Sequence, residues 1–226
     1  TGEGPVVFGV TEQGEVYRTR PTKYPWAPDV WLAFIWRFGA DEARQTELAV
    51  SRDGENWTLY GDRSMYFPKG WKFRDMPVGE VVSQTGLIRR GSEIWQYYEL
   101  STGPHGAGQQ LSIRATQRLD GFVSLDAGKE GGTSVTHPLV FAGDRLEINA
   151  QVDGEARFEI RDEHGQPIRG YTLNDCKPRH GDSLEHNVSW QSGEDISALA
   201  GHPVQLKIAM SDAKLFALQF KSELHE

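Results

Sequence analysis

Apolar and polar residues alternate in short runs that glycine, proline and aspartate interrupt, and this spacing constrains the fold more than any other feature. In Arg145–Val152, RLEINAQV, Leu146, Ile148, Ala150 and Val152 share one side, and Glu147, Asn149 and Gln151 share the other. A repeat of two belongs to the β-strand, whose successive side chains point to opposite faces. VVFGV, EVYRTR, TELAVS, WTLYG, GLIRRG, EIWQYYEL and LSIRATQRL predict further strands in the first half. SVTHPLVF, ARFEIRDE, HNVSWQ, VQLKIAM and LFALQF predict others in the second. The run VWLAFIWRF is apolar at nearly every position, as a strand covered on both faces would be. With 25 glycines and 11 prolines, the chain leaves little room for a long helix. Only DISALAG predicts a helical turn, with Asp195 able to cap it and Gly201 to end it. The expected fold class is all-β.

The spacing changes across RLDGFVSLDAGKEGGT, residues 118–133, where glycine concentrates. The expected organisation is therefore a β domain over 1–117 and a second over 118–226. Residues 118–133 form the connection, packed because Phe122, Val123 and Leu125 call for burial. One wet and one dry face per strand in the second half predicts the layers of a β-sandwich. HGQP, residues 164–167, predicts a tight turn.

Formal charge is −8, with both signs mixed along the chain, so no basic face for nucleic acid is expected. No apolar run reaches the roughly 18–20 residues of a membrane helix. TGEGPVVFGV has no basic segment or apolar signal core, so any export signal would lie upstream of Thr1. Cys176 is the sole cysteine, which excludes an internal disulfide and a cysteine-rich zinc site. Beside Pro178, it is expected to be an inert turn residue.

SRDGENW, residues 51–57, joins two predicted strands. Asp followed by Gly suits a hairpin, because glycine accepts positive φ and the carboxylate bonds nearby N–H groups. Asp53 is therefore expected to turn the chain, not to catalyse. ELAVSRDGENWTLY also resembles the blade hairpin of β-propeller glycosidases and the Asp-box of sialidases. With YPWAPDVWLAFIWRF, GLIRRGSEIWQYYELSTGPHG, RLDGFVSLDAGKEGG and DAKLFALQF, the chain resembles the C-terminal part of a bacterial family similar to five-bladed propeller glycoside hydrolases of the invertase and arabinanase type. DISALAGHPVQLKIAM resembles jelly-roll domains of the galactose-binding type. That likeness implies partial propeller-like antiparallel sheets followed by a jelly-roll-like β-sandwich. A propeller needs about four or more blades, and residues 1–117 provide strands for about two. The likeness places the acid and base mainly in earlier blades.

Glycoside hydrolysis requires two carboxyl groups across the scissile bond. Asp29, Glu47, Asp75, Glu80 and Glu99 are the acidic candidates in the first half, and Asp29, Asp75 and Glu80 are the catalytic selection. Asp29 in YPWAPDVW stands among aromatics that could desolvate it, and Asp75 follows Arg74, which could keep it ionised. Sugars offer apolar C–H faces to aromatic rings, so Trp26 and Trp71, in loop-like contexts, are the expected platforms. His105, on the glycine-rich loop STGPHGAG, is the first-ranked histidine and matches an HG loop in the family. Asp175, His180 and Asp182 are close enough in sequence to hold a structural Ca2+ in a loop; no other cofactor and no metal-ligand spacing is expected.

The functional expectation is a carbohydrate-active protein: the C-terminal part of a propeller-type glycoside hydrolase that acts on or binds a polysaccharide. The alternative is a non-catalytic carbohydrate-binding or structural module. Open sheet edges predict that residues 1–117 pair with a second copy or with an N-terminal part, or close into a compact sheet of their own. No nucleic-acid or membrane partner is expected, and the carbohydrate likeness suits an extracellular or periplasmic setting.

Overall fold

A computed structural model describes residues 15–27, 29–38, 44–59, 66–67 and 72–222. The strand expected over VVFGV lies outside them. The described residues are all-β apart from one turn of 3-10 helix at Ser197–Leu199, and no helix among them is long and apolar enough to cross a membrane. The chain divides into two units, 1–116 and 117–226.

In the first unit β1 (Glu15–Lys23), β2 (Trp31–Phe38), β3 (Arg44–Ser51) and β4 (Trp57–Leu59) form an antiparallel meander in that order. β2 is internal, and Leu32 through Arg37 are all buried, as its unbroken apolar run anticipates. A two-stranded hairpin, β5 (Lys72–Phe73) and β6 (Met76–Pro77), precedes a second sheet. In that sheet β9 (Glu93–Ser101) lies between β10 (Gln110–Arg118) and the collinear pair β7 (Glu80–Ser83) and β8 (Ile88–Arg90). The two sheets meet through Trp36, whose Nε1 donates to Ser83 Oγ at 3.1 Å. Beside it, the Thr46 hydroxyl donates to the Val81 carbonyl at 2.9 Å.

The SRDGENW turn closes β3 onto β4. Asp53 Oδ1 accepts from the N–H groups of Glu55 at 2.8 Å and Asn56 at 2.7 Å, and Oδ2 accepts from Asn56 Nδ2 at 2.7 Å. Gly54 has φ of 82°, and a Cβ there would lie 3.3 Å from the Trp31 ring. Both carboxylate oxygens are thus committed to holding the chain. These donors, led by Asn56, keep the Asp53 carboxyl well below the usual aspartate range. A depressed folded value stabilises the native state above the unfolded value, and the stabilisation is lost as pH falls through the folded one. Asp53→Ala should lower the melting temperature most near neutral pH, and the gap to the parent should narrow below about pH 4. Thermal melts across a pH series check this; a gap independent of pH would contradict it.

The second unit is one sheet. β11 (Leu125–Ala127) and β12 (Gly132–Val135) lie along one side of β15 (Val204–Lys221), β13 (Arg145–Asp162) lies along its other side, and β14 (Arg179–Asn187) pairs with β13. RLEINAQV with ARFEIRDE, and VQLKIAM with LFALQF, are each a single 18-residue strand. Their DG and SD interruptions are bulges, not turns. The register shifts between Val152 and Glu155, Asp212 takes φ of 45°, and a Cβ on Gly154 would stand 2.2 Å from the Ser211 carbonyl oxygen. Such bulges bend long strands. Loop residues Ile168, Tyr171, Cys176, Val188, Trp190 and Ile196 close the core over the sheet's inner side, formed by Leu146, Ile148, Phe158, Ile160 and Leu206.

Two local expectations shift and a third holds. The strand expected at HNVSWQ runs earlier, through RHGDSLEHN, because Gly181 at φ 88° sits at a register shift opposite Val152. Leu125 does not enter the core: it is 41% exposed, and Ala127 packs there instead. DISALAG does form its turn, with Asp195 Oδ1 accepting from the Ser197 N–H at 2.8 Å and Gly201 following at φ 78°.

Candidate functional site

In the first unit, β7 begins at Glu80, whose residue is only 1% exposed. Arg44, at the start of β3, grips it through both oxygens: Nε donates to Oε1 at 3.0 Å and Nη2 to Oε2 at 2.8 Å. The Arg44 backbone N–H adds a bond to Oε1 at 3.1 Å. Bidentate, charge-assisted pairs of this kind are among the stronger polar contacts, and the Glu80 carboxylate raises the Arg44 pKa further. Glu99 adds its charge nearby.

Above this pair stands a ring wall. His105 Nδ1 lies 3.5 Å from Glu80 Oε1. Its ring meets Tyr17 edge-on at 5.4 Å and Phe38 at 5.7 Å. Tyr17 is the extra residue at a bulge in β1, between Val16 and Arg18, and is 48% exposed. The loop that carries His105 is tied to itself: Thr102 N–H donates to the Gln109 carbonyl at 3.1 Å, and Ser101 Oγ to the Ala107 carbonyl at 2.6 Å. A Cβ on Gly79 would lie 2.4 Å from the Gly103 carbonyl oxygen, so the loop seats directly on the start of β7. Glycine here serves close packing as well as approach to a ligand.

Of the sequence-selected residues, Glu80 and His105 therefore come together. The others are elsewhere. The Asp29 carboxylate is 67% exposed and paired with Arg52 Nη1 at 3.0 Å, not enclosed by aromatics. The reason is local: Tyr24 N–H bonds the Val30 carbonyl at 2.8 Å, and Trp26 turns its half-buried ring edge-on to Tyr24 at 5.1 Å, leaving Asp29 on the outside of the turn. Arg74 and Asp75 occupy the β5–β6 turn at φ 48° and 66°, and the Arg74 guanidinium lies over the Phe73 ring at 5.3 Å. Asp75 is exposed and has a turn's backbone geometry. Trp71 lies outside the described residues. Glu47 is buried against Arg37 at 2.8 Å.

The proposed Ca2+ set in the second unit is divided among other partners. Asp175 Oδ2 accepts from the Thr172 hydroxyl at 2.8 Å, His180 Nδ1 meets the Gly154 carbonyl at 2.6 Å, and Asp182 pairs with Arg118 at 2.5 Å. Among the described residues no group of three or more His, Cys, Asp or Glu is placed to hold a metal ion. Cys176 is buried, its sulfur accepting the Phe158 N–H at 3.2 Å, and burial pushes its thiol pKa up. Such a thiol is a poor nucleophile.

Arg44, Tyr17 and Phe38 are absent from the sequence selection, since only the register of three strands unites them with Glu80. One signal was present: tyrosine and arginine stand adjacent in EVYRTR, on a strand with polar residues along much of its length. No protein-family model matches the chain, and no match is found among curated proteins.

Proposed function

We propose that the chain is a carbohydrate-binding part of a propeller-type, glycoside-hydrolase-like protein, and that the sugar is contacted by Tyr17 and His105 above the Arg44–Glu80 pair. The wall of exposed rings over a fixed polar floor carries this reading: rings take the C–H face of a sugar and the polar groups orient its hydroxyls. Two up-and-down meanders that meet along β7, one closed by the Asp53 hairpin, support the propeller likeness. Binding is favoured over cleavage because hydrolysis needs two available carboxyls across one bond. Arg44 occupies both oxygens of Glu80, and Asp29 and Asp75 belong to separate turns.

Native gel electrophoresis through a panel of neutral and acidic polysaccharides tests the proposal. At least one should retard the parent protein, and Tyr17→Ala should weaken that retention about tenfold, the scale of one aromatic contact. Equal mobility of parent and variant in every gel would defeat it. Pairing with a second copy or with an N-terminal part is a further element of the proposal, supported by β10, which ends its sheet among the described residues.

A further inference from the structure

The cross-strand register sets Arg18 opposite Trp36, Arg20 opposite Phe34 and Arg44 opposite Phe38. Direct and diagonal neighbours share a sheet face, so three guanidinium groups surround one indole. Their carbons lie 5.2, 4.7 and 5.7 Å from the Trp36 ring centroid. Glu80 neutralises Arg44. Arg18 and Arg20 have no ion pair among the described residues. Arg20 donates through Nη1 to the Thr85 hydroxyl, and its Nε is buried without an acceptor. Stacking on Trp36 accounts for the position of each arginine. It does not account for two like charges side by side with no carboxylate among the described residues to meet them. Nor is general basicity the cause, because the chain carries a charge of −8.

We infer that Arg18 and Arg20 receive the carboxylate of an acidic sugar whose ring rests on Tyr17. The Arg44 guanidinium carbon lies 5.4 Å from the Tyr17 ring centroid and 5.7 Å from that of Trp36, so the ring platform and the cationic fork share one face, as the apolar face and carboxylate of a uronate do. A planar carboxylate matches the planar guanidinium fork. The inference rests on the sugar-binding reading above and names the class of sugar.

Titration calorimetry with polygalacturonate, dextran sulfate and neutral dextran tests it on the full chain. Polygalacturonate should bind best, and Arg18→Gln and Arg20→Gln should each weaken it at least about tenfold, as expected for loss of a charge-assisted fork. Arg18→Lys retains the charge but lacks the fork, so it should recover only part of the loss. Arg89→Gln is the control, since the Arg89 Nε is bonded to the Gly91 carbonyl at 3.2 Å on a separate strand, and it should leave affinity unchanged. If neutral dextran binds equally well and the Arg18 and Arg20 variants match the parent, the acidic-sugar inference fails while sugar binding stands. Preference for dextran sulfate over polygalacturonate would overturn the carboxylate assignment. An equal loss in Arg89→Gln would mean diffuse attraction and would also overturn it. Absence of binding to all three would reject both readings.

Discussion

Glu80→Ala should destabilise the first unit by about 3–5 kcal/mol, because it leaves a largely enclosed guanidinium without its counter-charge. The Arg44 side chain is only 13% exposed and makes two bonds to the lost carboxylate. Urea unfolding of parent and variant measures the loss. The double variant Glu80→Leu with Arg44→Met should recover most of it, since replacing both ends of a buried pair by apolar groups is often close to neutral. A single-variant loss under about 1 kcal/mol would show that the site is wetter than its geometry implies. The same substitution bears on function: it removes the carboxylate beside His105, so a sugar that needs this floor should bind more weakly even where the fold survives.

In the second unit the largest effect should come from Trp190. It is fully buried, its Nε1 donates to the Phe158 carbonyl at 3.0 Å, and Tyr171 meets it edge-on at 5.3 Å. Trp190→Ala should cost about 3–5 kcal/mol, the usual scale for truncating a core aromatic. Trp190→Phe retains much of the ring and loses the N–H, so it should cost less, about 1–3 kcal/mol. Circular dichroism during urea unfolding would register both, and an alanine variant that unfolds with the parent would contradict this account of the core. The residue matters because its segment pairs only through isolated bridges to Cys176 and Gly193, outside the sheet. Trp190 is the means by which a loop covers the inner side of the sheet.

What was legible in the sequence follows from what is local in physics. Alternation identified the strands on either side of SRDGENW, and the chemistry of Asp and Gly identified that turn. HNVSWQ misled because Val188 and Trp190 are apolar at a spacing of two yet face the core from a loop. The bulges at Asp153–Gly154 and Ser211–Asp212 resemble turns, and only pairing between distant strands distinguishes the two. In the site, the glycine-rich loop marks His105, whereas Glu80 is one carboxyl among several in the sequence and the structure places it in an ion pair. Arg44 and Tyr17 depended on strand register, which no short window contains. Aromatic content was a weak guide: Trp36 is buried beneath arginines and Trp26 packs on Tyr24, while the more exposed ring at the site belongs to a tyrosine.

The long strand Val204–Lys221 joins Arg145 to Lys221 and receives β11, β12 and β13. During synthesis, β13 leaves the ribosome well before the partner that shields its edge. Until that partner emerges, one edge of an eighteen-residue alternating strand waits unprotected, with only β14 available for the other. Pairing across such separations is slow, and exposed intermediates are prone to self-association. Growth temperature and chaperone supply should therefore govern the yield of soluble protein more strongly than the stability of the finished fold.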